Sequence, residues 1–204
     1  MRVAIVGGTG PFGRGLAIRL AAAGHDVTLG SRSEERAREL ASDLGVTGGA
    51  NADAAAAADL VVLAVDADAA IATATDLRSS LSAPLLSVAS QLEFVDGAAR
   101  PRQSDRSLAE EIAEIVDVPV AAGLHSLGAK KLAATVPDED AFVCGDDESA
   151  KELALSLAAD VVAGRALDCG PLVAARALEG MTAVILNVNR RYRARVGIRL
   201  TGLS

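Results

Sequence analysis

The segment Gly8-Thr9-Gly10-Pro11-Phe12-Gly13 constrains this chain more than any other. It follows the apolar run Arg2 to Val6 and leads into the apolar stretch Gly13 to Ala23. Three glycines in G-x-G-x-x-G spacing therefore fall between a strand and a helix, the context that makes the pattern specific. Gly8 permits a tight turn, Gly10 lets the backbone approach a pyrophosphate, and Gly13 lets the helix close on the strand. The helix N-terminus then offers unpaired N–H groups and a partial positive charge to phosphates. Such a chain is expected to bind a dinucleotide at its first βαβ unit.

The end of the second strand, Asp26 to Leu29, selects between dinucleotides. NAD-selective sites place a carboxylate there to accept from the ribose hydroxyls. This chain has Gly30-Ser31-Arg32-Ser33, with Arg36 one turn further on. Ser31 can donate to a 2′-phosphate, Arg32 can pair with it or stack on adenine, and Arg36 adds a second cation. The reading is NADP rather than NAD.

Downstream, strands and helices alternate. Ser33 is an expected N-cap for a helix over Glu34 to Leu44. Gly48, Gly49 and Asn51 read as a break. A short Ala-rich helix from Asp53 leads to strand Leu60 to Val65, helix Ala69 to Leu81 and strand Leu85 to Val88. Gln91 to Ser107 reads as a long exposed loop. Then follow helix Leu108 to Val116, strand Val118 to Ala121, a turn-rich segment Gly123 to Ala133 holding His125, and strand Ala141 to Cys144. A helix runs from Asp146 and Asp147, read as caps rather than a metal pair, to about Ala158. Strand Ala163 to Leu167 and a long helix, Pro171 to Arg191, complete the chain. The alternation implies an α/β fold with a doubly wound, mostly parallel sheet.

Composition removes several alternatives. A net charge of −7 argues against general binding to nucleic acid or anionic membrane. Three Phe, one Tyr and no Trp leave little for stacking on bases. No run reaches the roughly 18 apolar residues of a membrane span, and Met-Arg entering a strand directly is not a signal peptide. Cys144 and Cys169 form no CxxC pair, which fits two buried thiols in a reducing cytoplasm.

With these features in place, the chain resembles the NADPH-dependent reductases of the deazaflavin coenzyme F420, also called F420-dependent NADP reductases. The opening MRVAIVGGTGPFGRGLAIRLAAAGHDVTLGSR, ANADAAAAADLVVLAV, the His125 segment, VCGDDESAK, and ALDCGPL followed by ILNV carry the resemblance. It implies one Rossmann-like domain over residues 1–204, with 117–204 as a smaller C-terminal α/β portion completing a second-cofactor site, usually in a homodimer. It implies hydride transfer between nicotinamide C4 of NADP(H) and C5 of coenzyme F420. Few reactive side chains are then needed, because the cofactors carry the chemistry and the protein aligns their rings.

By the family pattern Thr9, Gly10, Pro11 and Phe12 would hold the pyrophosphate, and Ser31, Arg32 and Arg36 the 2′-phosphate. Ala67 and Ser90 would lie along the cofactor. His125, as the catalytic candidate, and Leu127 would border the deazaflavin, and Ala129 would approach the nicotinamide. The family usually has Pro where Asp66 and Gly128 stand, and a Pro-containing turn where this chain has Leu85 to Ser90. His25 reads as surface structure at the opposite end. Arginines 190, 191, 193, 195 and 199, with Tyr192 among them, read either as a solvated helix end or as a patch attracting an anionic ligand tail. Two other functions stay open at this point: an NADPH-dependent reductase of a flavin, metal chelate or carbonyl compound, and a non-catalytic NADP-binding sensor.

Overall fold

The chain folds as its apolar runs require, and a computed structural model describes residues 1–203. The first half comprises β1 (Arg2–Val6), α1 (Pro11–Ala22), β2 (Asp26–Ser31), α2 (Glu34–Leu44), β3 (Thr47–Ala50), α3 (Asn51–Ala56), β4 (Leu60–Leu63), α4 (Ala67–Leu77) and β5 (Leu85–Ser87). The second half comprises β6 (Leu92–Val95), β7 (Ala98–Pro101), α5 (Leu108–Ala113), β8 (Val120–Gly123), α6 (Ala129–Ala134), β9 (Ala141–Gly145), α7 (Glu148–Val161), β10 (Ala166–Asp168) and α8 (Ala175–Tyr192).

Among the described residues, eight strands form one sheet in the order β10-β9-β8-β5-β4-β1-β2-β3. The six strands from β8 to β3 are mutually parallel; β9 pairs antiparallel with β8, and β10 parallel with β9. The sheet is thus mostly parallel and Rossmann-like, with the C-terminal strands added at one edge. β4, Leu-Val-Val-Leu, is buried at every position, as a strand covered on both faces must be. One face carries Leu16 and Leu20 of α1, Ala41 of α2 and Leu157 of α7. The other carries Ala70 and Ala74 of α4, Leu108 and Ile112 of α5 and Leu178 of α8. Order reverses at β1, since β2 lies on one side of it and β4 on the other, and a ligand crevice opens at such a switch point.

Local signals set the helix ends. Ser33 Oγ accepts from Arg36 N at 3.3 Å at the start of α2, and Gly45 closes that helix at φ +68°. Ser107 and Glu110 form a capping box on α5. Asp147 accepts from Ala150 N at 2.8 Å to cap α7, while Asp146 accepts from Leu172 N at 2.9 Å.

Three segments differ from the sequence expectation. Gln91 to Ser107 is not simply a loop: β6 and β7 form a hairpin whose turn, Asp96-Gly97, has positive φ at both residues, the requirement of a two-residue type I′ turn. Gly48 and Gly49 do not break the chain but form the edge strand β3, paired parallel with β2. Gly48 is needed there because a Cβ would run into the Ala37 carbonyl of α2. The turn-rich segment Gly123 to Ala133 contains the end of β8 and most of α6, which packs on α1. His25 is not simply surface, since its ring is largely covered and its Nε2 lies 2.9 Å from Asp160 Oδ2. Cys144 is buried and its thiol is pushed up to about 12 by burial; Cys169 is only half-buried. No helix among the described residues is long and apolar enough to cross a membrane.

Candidate active site

Two adjoining cavities fill the crevice at the carboxyl ends of β1 and β4. The first, about 300 Å³, is lined by Thr9, Gly10 and Pro11 after β1, by Ser31, Arg32 and Arg36 around the end of β2, and by Asn51 and Thr73 among others. The second, about 420 Å³, shares Gly10, Pro11 and Asp66 with the first and continues past Phe12, Ala67, Ala89 and Ser90 to Thr182 and Leu186 of α8. Together they form one long cleft.

The glycine turn is shaped as its motif demands. Gly7 sits at φ +74°, and a Cβ on Gly13 would fall 2.6 Å from the Gly8 Cα. Only glycine lets the two backbone segments close this tightly. Gly10 N-caps α1 and Pro11 occupies its first turn, where a missing N–H costs nothing. Side chains are small here, so backbone lines the phosphate end of the cleft.

At the far end of the first cavity, Ser31 is buried and accepts from Ser33 N at 3.2 Å. Arg32 and Arg36 are exposed, and neither forms an ion pair among the described residues. The side-chain oxygen Asn51 Oδ1 is buried without a hydrogen-bond partner. A serine hydroxyl, two uncommitted guanidinium groups and an unpaired amide oxygen fit a phosphorylated ribose.

The second cavity is walled by groups from distant parts of the chain. Ser90 Oγ lies 2.8 Å from Thr182 Oγ1, which in turn donates to the His125 carbonyl at 3.0 Å. A threonine has one hydroxyl proton; with it directed at His125, Ser90 is the donor in its bond to Thr182. The His125 ring Nε2 sits 3.2 Å from the Ala89 carbonyl. Burial pulls the His125 pKa down to about 4, so the ring is neutral at pH 7. A neutral ring beside a carbonyl carries its proton on Nε2.

The structure brings Thr9, Gly10, Pro11, Phe12, Ser31, Arg32, Arg36, Ala67 and Ser90 to the cleft. It places the other three predicted residues elsewhere. His125 is 4% exposed and lies behind the cleft, joined to its lining through Ala89 and Thr182. Leu127 packs in the core on the α1 face. Ala129 opens α6, with its carbonyl 3.0 Å from where a Gly15 Cβ would stand. Conversely, Asn51, Thr73, Thr182 and Leu186 line the cleft unforeseen. Asn51 reads as a loop residue, and Thr182 lies in a helix whose apolar face dominates its pattern.

The hairpin forms one rim. Asn187 of α8 accepts from Ala99 N at 2.8 Å and donates to Ala99 O at 2.7 Å, so its amide stands in for a neighbouring strand. Arg102 pairs with Asp68 of α4, and Arg176 donates to the Arg102 carbonyl. Glu179 of α8 is fully buried, and its carboxyl accepts from Leu108 N at 2.8 Å.

Residues 2–91 match the family model described as NADP oxidoreductase, coenzyme F420-dependent. The F420-dependent NADP reductase of Methanothermobacter thermautotrophicus is 36% identical, over all of this chain and 96% of its own length. The chain belongs to the F420-dependent NADP reductase family. The member from Methanocaldococcus jannaschii is 31% identical over the full length of both chains. The crystal structure of a putative F420-dependent NADP reductase from Arthrobacter sp. FB24 superposes with a TM-score of 0.84 at 26% identity, covering 99% of this chain and all of that one. The family likeness therefore extends over the second cavity and α8, well beyond the glycine turn.

Proposed function

We propose that this protein is an NADP-dependent oxidoreductase that moves hydride between NADP(H) and coenzyme F420. The observation that carries this reading is the full-length family likeness joined to a two-part cleft with an uncommitted cationic end. When both are bound, the nicotinamide C4 supplies or receives the hydride and the deazaflavin C5 is its partner. The residues of this chain bind, orient and exclude water.

In this reading Thr9, Gly10, Pro11 and Phe12 hold the pyrophosphate, while Ser31, Arg32 and Arg36 hold the 2′-phosphate. Asn51 accepts from the adenosine portion. Ala67 and Ser90 border the nicotinamide end. His125 is a positioning residue: neutral and buried, it fixes the Ala89 and Ser90 backbone through Nε2 and receives Thr182 at its carbonyl. With its proton given to Thr182, Ser90 Oγ keeps its lone pairs free to accept from a ligand. Leu127 and Ala129 support this wall by holding the β8 end and α6 against α1.

Residues 1–204 act as one domain, with 117–204 completing the deazaflavin end. A homodimer is supported by the large apolar side chains exposed on and near α8, among them Val173, Val184 and Tyr192. A cytoplasmic location fits two thiols free of any disulfide. Adding NADPH to oxidised F420 with catalytic enzyme should bleach the deazaflavin chromophore. An unchanged spectrum, with FMN or FAD reduced in its place, would move the assignment to a flavin reductase.

A further inference from the structure

We propose that the C-terminal arginines form a subsite for the anionic tail of the deazaflavin substrate; this rests on the hydride-transfer reading above. The cleft is bounded by Leu92 and Phe94 of β6 on one side and by Thr182 and Leu186 of α8 on the other. Farther along the same two elements lies a cavity of about 730 Å³, lined by Asp96, Gly97, Asn187, Arg190, Arg191 and Arg193 among others. Thr182, Leu186 and Arg190 follow one another at helical spacing, and Arg193 caps the same helix. At 1.5 Å per residue, Arg190 lies ~12 Å along the axis from Thr182. A ligand with its ring at Thr182 and a tail running along α8 reaches the guanidinium groups.

The charge distribution is lopsided. Positions 190, 191, 193, 195 and 199 hold five of the 20 Lys and Arg residues in a chain of net charge −7. Among the described residues, none of the five lies within ion-pair distance of a carboxylate. Compensation of the helix dipole accounts for Arg190 and Arg191, which lie in the last turn of α8. It does not account for Arg193, the left-handed C-cap, or for Arg195 and Arg199 beyond the helix. Arg190 also donates to the Gly97 carbonyl and so ties the hairpin turn to the patch. One carboxylate, Asp96, borders the cavity against three guanidinium groups. The coenzyme carries a phosphodiester and carboxylates, the groups that a guanidinium fork binds best.

Fluorescence titration of the full chain with two ligands tests this: intact F420, and a truncated deazaflavin lacking the phosphodiester and carboxylates. Arg191→Gln with Arg193→Asn removes two cations and keeps a residue that tolerates the left-handed cap; Arg190 stays as the hairpin anchor. The unmodified chain should bind intact F420 about tenfold tighter than the truncated form, two cations each contributing up to about fivefold. Added salt should narrow that gap. The double variant should lose the gap while keeping its affinity for the truncated form and for NADPH. Equal binding of the two forms by the unmodified chain, or equal loss of both in the variant, overturns the subsite and leaves the hydride-transfer reading standing. If neither form binds while NADPH does, that reading fails and the subsite falls with it.

Discussion

At the scale of single residues, cofactor choice rests on charge rather than on glycines. Arg32 and Arg36 are exposed and unpaired, so both are free to engage a 2′-phosphate. A charge-assisted hydrogen bond contributes about 1.5–3 kcal/mol. Arg32→Ala with Arg36→Ala should therefore raise the KM for NADPH by at least about tenfold and leave that for NADH nearly unchanged, as initial rates with each cofactor will show. Asp66 works the other way. It lines both cavities and makes no capping hydrogen bond, which puts a negative charge beside the space assigned to a pyrophosphate. Asp66→Asn should tighten NADPH binding about two- to fivefold, the effect of one exposed like charge, measurable by calorimetric titration. Ser31, Arg32 and Arg36 are legible in the sequence because they run from the end of one strand into the first turn of the helix after it. Asn51 and Thr182 are not, because they reach the cleft from α3 and α8 through tertiary packing.

At the scale of elements, two buried titratable groups behind the cleft pull against each other. Burial raises the Glu179 carboxyl to about 7 from an ordinary 4.5. The folded state then binds more protons than the unfolded one between those values, so this group lowers stability as pH rises from about 4.5 to 7. Burial lowers His125 to about 4 from 6.5. There the unfolded state binds more protons, and stability falls as pH drops from about 6.5 to 4. Melting curves across this range should show His125→Asn removing the acid-side loss and Glu179→Gln removing the loss toward neutral pH. Elsewhere, Gly48→Ala should cost about 1–3 kcal/mol by driving β3 off α2, read by denaturant unfolding. The hairpin was missed: the polar, arginine-rich stretch from Gln91 to Ser107 reads as a loop, although Asp96-Gly97 carries the turn signal of a two-residue hairpin. β3 was missed too: Thr-Gly-Gly-Ala has poor strand propensity and exists because β2 and α2 hold it.

At the scale of the molecule, the alternation of strands and helices was enough to read the doubly wound sheet. The antiparallel entry of β9 was not, because strand direction at an edge depends on the connection through α6 rather than on the strand's own residues. In the proposed dimer the exposed Val184 would be covered, and Val184→Lys should then shift sedimentation toward the monomer while NADPH still binds. The cleft itself unites β1, β2, β4, β5 and α8, and in the proposed function these elements together align two rings. The most direct test uses NADPH carrying deuterium at the transferable C4 position, mixed with oxidised F420 and the protein in ordinary water. Direct hydride transfer puts deuterium at C5 of the reduced deazaflavin. A reduced deazaflavin without deuterium at C5, or no reduction at all, would contradict direct transfer.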